Sequence, residues 1–132
     1  MKAPRKPRDA AVPIKDFLIG RIATLPAPSA TAGLSLPPDW TPKSRPAVVV
    51  FDDGGPQRWP VATKPQIRVT VWADGRTHAR DLAGMCMGWL LALRVPGVKV
   101  SPGTALIDAR DPNNGGTMAS FTVNATVRTT NF

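Results

Sequence analysis

The chain has one cysteine, one histidine and no tyrosine. Cys86 has no partner for an internal bridge, and it falls on the apolar stripe of a helical segment. It therefore reads as a small buried hydrophobe in a protein of a reducing compartment. His78 stands among Arg76, Thr77 and Arg80 at the start of that segment, as a solvated first-turn residue. No Cys–His pair has a plausible geometry and no Gly-x-Ser-x-Gly elbow occurs, so nucleophilic catalysis has no signature. Long apolar runs are missing as well. The longest, near Trp89–Leu93, is far too short to span a bilayer, and Met1 is followed by Lys2, Pro4 and Arg5 in place of an apolar leader. These absences predict a cytosolic product with no membrane association, and no enzyme.

Two things are present in excess. Lys and Arg number 17 against 9 acidic residues, a net charge of +8, which raises the on-rate for any polyanion or acidic surface. Proline reaches 15 of 132 residues, roughly double its usual share of about 5%. The prolines cluster outside the periodic segments, which predicts extended arms on a compact body. A chain of this length is one domain, able to bury roughly two thirds of its unfolded surface with no cofactor or metal needed for folding.

The sequence is organised around Gln66–Leu93. Ile67, Val69 and Val71 alternate with Arg68, Thr70 and Trp72, the period of a half-buried strand. Asp74-Gly75 breaks the run, and Ala79, Leu82, Ala83, Cys86, Leu90 and Leu93 follow at helical spacing. Asp74 or Thr77 is expected to cap this helix, with Asp81 near its positive end. Upstream, Ile14, Phe17, Leu18, Ile22 and Leu25 predict a short helix over Asp9–Ala23, with Pro13 tolerable in the first turn. Ala47–Phe51 is a β-branched run closed by Asp52-Asp53-Gly54-Gly55, and with Gln66–Ala73 it is expected to form a long hairpin. Downstream, Val98–Val100 is a brief extended piece and Thr104–Arg110 a strand. Ala119–Thr129 is the cleanest strand, with Phe121, Val123, Ala125 and Val127 on one face.

The order α-β-β-α-β-β predicts an α+β fold: a mostly antiparallel sheet of about four strands packed on a long central helix, with an N-terminal helix and Pro-rich arms. Residues 1–8 form a basic arm that carries four positive charges and is disordered alone, so a neighbouring chain is expected to hold it. Residues 9–132 form the single domain. Within it, residues 25–46 are a Pro-rich extended loop with six prolines, anchored against a surface by Leu34, Leu36 and Trp40.

Chemistry-bearing clusters are few. Asp52-Asp53 before two glycines has the composition of a turn and does not make a metal site. Asp111-x-Asn113 begins like a calcium loop, yet Gly115 stands where an oxygen ligand is needed and no Glu closes it. The glycine pairs at 54–55 and 115–116 lack phosphate-loop spacing. Arg58, Trp59, Lys64, Arg68 and Trp72 mix cations with aromatics, as a nucleic-acid-binding module would. The basic residues are scattered, however, and no recognised binding motif is present. Trp72, on the polar side of its strand, is expected to pack under the first helix or to meet another chain.

Three stretches carry a resemblance: Pro46-Ala47-Val48-Val49-Val50-Phe51-Asp52-Asp53-Gly54-Gly55, Lys64-Pro65-Gln66-Ile67-Arg68-Val69-Thr70-Val71-Trp72-Ala73 and Arg80-Asp81-Leu82-Ala83. With Ala109-Arg110-Asp111-Pro112-Asn113 and a closing Val127-Arg128, they resemble the tail terminator proteins of long-tailed, siphovirus-type bacteriophages, especially those of actinobacterial hosts. The similarity covers Asp9–Thr129, and its motifs are structural. The basic arm and the Leu25–Pro46 insertion are longer than that family's pattern.

The resemblance implies a virion structural protein, assembled in the host cytoplasm. It would form a ring of six copies that caps the head-proximal end of the tail tube, ends polymerisation of the major tail tube protein and joins a head-completion or neck connector protein. Genomic DNA would pass through the lumen without sequence-specific binding. A neck connector is the alternative within this class, and a basic nucleic-acid-binding module the alternative outside it. By residue type, Trp59 and Trp72, with Trp40 in the long loop, are expected as aromatic anchors between subunits. Arg68 is a further contact candidate, and Arg5, Lys6 and Arg8 are expected to tether an acidic neighbour or the DNA. Open sheet edges covered by neighbours, and stiffened arms that reach across to them, suit such a ring.

Overall fold

The computed structural model describes residues 3–26 and 29–132, so the expectations that touch residues 1–2 and 27–28 lie outside the described residues. Among the described residues the fold is mixed α+β, with two helices and a mostly antiparallel sheet. In chain order the elements are β1 (Arg5–Lys6), α1 (Ala11–Ile22), β2 (Thr31–Gly33), β3 (Ala47–Asp52), β4 (Gln57–Arg58), β5 (Ala62–Thr63) and β6 (Gln66–Ala73). They continue with α2 (Arg76–Ala92), β7 (Lys99–Pro102), β8 (Ile107–Arg110), β9 (Thr117–Arg128) and β10 (Thr130–Asn131). Among the described residues, no helix is long and apolar enough to cross a membrane.

Strand β9 lies at the middle of the sheet. It pairs antiparallel with β6 from Gln66↔Asn124 to Ala73↔Thr117, and with β5 beyond it through Ala62↔Arg128. Along its other margin run β7, by Lys99↔Thr126, and β8, by Ile107↔Ser120. Gly103 lets the edge pass between these two short strands, since a β-carbon there would stand 2.5 Å from the Thr122 carbonyl oxygen. On the far side β6 pairs with β3 in the expected long hairpin, Val49↔Thr70, and β2 adds a parallel strand. Among the described residues the sheet therefore holds eight strands where about four were expected, because the additional ones are two to four residues long and too short for a periodic signal.

One face of the sheet carries the main core. Val48 and Val50, Ile67, Val69 and Val71, and Phe121, Val123, Ala125 and Val127 all point to it and are buried. Ile14, Leu18 and Ile22 of α1 and Ala79, Leu82, Ala83, Cys86 and Leu90 of α2 close over them. Each large side chain buried here contributes about 1.5–3 kcal/mol. Burial also pushes the Cys86 thiol up to about 12, so it is held as a neutral hydrophobe. Leu93, expected on the same stripe, is extended at the helix end and 42% exposed.

The start of α2 differs from expectation. Its N-cap is Gly75 in an extended conformation, with no side-chain cap bond. Asp74 instead pairs with His78, 3.0 Å from Nδ1. That contact lies one turn along the helix and holds the Asp74 carboxyl below its ordinary range.

The second face is covered at one end only. Residues 36–46 lie over Ala47, Val49 and Trp72 and bury Trp40 among them, with Leu36, Phe51 and Met118 at the margin. Trp40 rests against Gly116, where a β-carbon would stand 2.6 Å from its Cζ3 atom. The Pro-rich segment thus has a surface to lie on through Trp40 and Leu36, whereas Leu34, expected as a third anchor, is 44% exposed. That surface is its own sheet, and the segment also supplies the strand β2 within a stretch expected to be structureless.

Candidate assembly surface

The seven residues expected to make contacts divide into two groups. Trp40 and Trp72 do not serve as anchors for another chain, since they are 5% and 7% exposed and form the small core under the loop. The Trp40 indole N–H donates to the Arg45 carbonyl at 2.8 Å. That of Trp72 donates to Asp111 Oδ2 at 3.0 Å, on the face away from α1. Asp111 also accepts from the Asn113 backbone N–H at 2.9 Å and the Asn114 amide at 3.1 Å. These bonds, that of Asn113 first and that of Trp72 next, hold its carboxyl below the usual range. The motif that began like a calcium loop is a Trp clamp.

Arg68 is also engaged within the chain. Its guanidinium lies 4.2 Å from the centre of the Phe51 ring, and its Nε donates to Asp53 at 3.1 Å. Arg8 lines an open groove of about 710 Å³ together with Asp9, Asp52 and Asp53.

Arg5 corrects the expectation of an arm held by a neighbour. Strand β1 pairs with β10 of the same chain, Arg5↔Asn131 and Lys6↔Thr130. From there Arg5 makes three bonds: Nε to Thr129 Oγ1 at 2.7 Å, Nη2 to the Thr129 carbonyl at 2.9 Å and Nη1 to Asn131 Oδ1 at 2.6 Å. Thr129 is 2% exposed and passes the connection on. Its hydroxyl donates to the Pro60 carbonyl and its N–H to the Val61 carbonyl at 3.0 Å. A basic arm, a buried threonine and the turn between β4 and β5 thereby form one hydrogen-bonded unit.

What this unit holds out is apolar. Trp59 and Val61 at the hairpin tip are 52% and 57% exposed, flanked by exposed Arg58 on β4 and Arg128 on β9. A rigid aromatic beside arginine is the composition of an interface hot spot. Since Arg5 and Thr129 fix the turn before any partner arrives, less conformational freedom is lost on docking. Of the seven expected residues, Trp59 alone is a large apolar group held out to solvent, and Lys6 is exposed on β1.

Sequence reading missed Val61 and Thr129. Val61 follows Trp59-Pro60 in a connection with no period, and Thr129 bonds a turn 68 residues away that nothing local marks. The sheet margins complete the surface. Among the described residues, no strand pairs with the outer side of β2 or of β7 and β8, and Ile107 on β8 is 66% exposed. Asp108 ties that margin to α2, accepting from Arg76 Nε at 2.7 Å and Arg80 Nη1 at 2.8 Å.

This arrangement has the chemistry of a docking surface. Among the described residues, no three His, Cys, Asp or Glu side chains form a group able to hold a metal ion. Compared with models of known protein families and with curated proteins, the chain finds no match.

Proposed function

We propose that this chain is a phage tail terminator: a subunit that joins copies of itself into a ring, six on the resemblance, at the head-proximal end of the tail tube. In this role it ends addition of the tube protein and offers the opposite surface of the ring to the neck. The observation that carries the reading is the braced hairpin tip, which exposes Trp59 and Val61 on a turn clamped by Thr129 and Arg5. The unpaired margins at β2 and at β7 and β8 support it, since an open sheet edge invites pairing with another chain unless it is covered. The contacts differ from those expected of stiffened arms, because the described parts of both Pro-rich segments are engaged within the subunit.

Mass measurement of the particle, alone and with purified tube protein, tests the reading. The unaltered chain is expected as a ring, free or on the tube end. Trp59→Ala is expected to fall apart to monomers while its melting temperature stays within a few degrees, because an exposed side chain contributes little to the fold. A chain that stays monomeric in both conditions would sink the proposal. Binding to the portal side in place of the tube would assign it to the neck connectors.

A further inference from the structure

The half of the second sheet face that the Pro-rich loop leaves bare has its own chemistry. On β9, Thr122, Asn124, Thr126 and Arg128 alternate with the buried Phe121, Val123, Ala125 and Val127, so they share the uncovered face. Lys99 lies opposite Thr126, which makes it the diagonal neighbour of Arg128, at about 7–8 Å. Arg58 belongs to the same row as Arg128, with Ala62 between them. The fold-back of β1 adds Lys6, opposite Thr130 and two residues past Arg128.

Four cations from four separate stretches of sequence thus come together at one end of the molecule. Lys6, Arg58, Lys99 and Arg128 are all exposed, and the ion pairs among the described residues involve none of them. The carboxylates that hold cations stand elsewhere: Asp108 under α2, Asp53 on Arg68 and Asp16 on Lys15. Between the cations lie hydroxyl and amide side chains, with no large apolar residue in the rows of Asn124 and Thr126.

We propose that this face binds the phosphate backbone of duplex DNA without reading its sequence. The partner follows from the chemistry. A protein partner would need a buried apolar centre, and the rows of Asn124 and Thr126, unlike the neighbouring Trp59 and Val61 tip, have none. Spaced cations set among neutral donors match a chain of regularly repeating negative charges, where displaced counterions supply the affinity. The site is read on the single subunit and does not rest on the assembly reading.

The test is binding of the full chain to two short duplexes of unrelated sequence across a salt series. Two double variants remove the same charge: Lys99→Gln with Arg128→Gln on the face, and Lys43→Gln with Arg45→Gln on the loop at the opposite end. The slope of log affinity against log salt is expected to become shallower by about two in the first variant. It is expected to stay unchanged in the loop variant and in the charge-preserving Lys99→Arg with Arg128→Lys. Both duplexes are expected to bind alike. An equal loss in the loop variant would reduce the effect to net charge and overturn the site. So would an unchanged slope in the face variant, or a strong preference for one duplex. Particle mass, measured on the same samples, keeps this result separate from the fate of the ring.

Discussion

The two faces of the sheet are built by different means. The helix face is covered by two amphipathic helices whose apolar stripes match the alternation of β3, β6 and β9. The other face is covered over half its length by an irregular Pro-rich segment that relies on two tryptophans and one carboxylate. A periodic cover spreads its stability over many equivalent contacts, whereas an aperiodic one concentrates it in a few. The bare remainder is then free for function, since the fold does not depend on it.

The largest expected effect lies on the helix face. Phe121, 1% exposed, packs at the centre of the main core, and Phe121→Ala is expected to cost about 4 kcal/mol through lost burial and the cavity left behind. Chemical denaturation followed by far-ultraviolet circular dichroism measures it. A cost under about 0.5 kcal/mol, the range of ordinary surface changes, would erase the distinction between the faces.

That face is also where sequence reading succeeded, and for the same reason. Ile67, Val69 and Val71, the β9 alternation and the α2 stripe repeat at fixed spacing, so composition at one position predicts burial at the next. The second face gave no such signal. Trp72 shares a strand side with Arg68 and Thr70, which pointed to the first helix or another chain as its cover, and its burial depends instead on Trp40, which reaches it across a non-repeating loop. Of the candidate surface, Trp59 was legible as an aromatic in a connection. Its brace was not, because Arg5, Thr129 and Pro60 are joined only by the tertiary fold.

On the looped face a smaller loss is expected. Trp40→Ala would remove the cover from Trp72 and is expected to cost about 3 kcal/mol, the low end for a buried aromatic because the loop can relax. A red shift of tryptophan emission would accompany it as Trp72 meets water. If the loss matched that of Phe121→Ala, the loop would have to be counted as part of the main core.

The smallest effect concerns the Trp clamp. The folded state depresses the Asp111 carboxyl below its ordinary value of 3.8. Its bonds to Asn113 and Trp72 therefore add stability above that pH, and the contribution is lost as pH falls through the folded value. Asp111→Asn is expected to melt slightly below the unaltered chain at neutral pH, and the gap is expected to close on acidification below 3.8. A gap that stayed constant with pH would mean that the charge of Asp111 plays no part and the amide serves as well.

Strand β9 sets a timetable for biosynthesis. It is made after β5, β6, β7 and β8, and until it arrives they have no common partner. Thr129, which locks the Trp59 turn, follows it directly. A nascent chain thus carries the Trp59 turn unfixed, and the turn is braced only once the sheet behind it is whole.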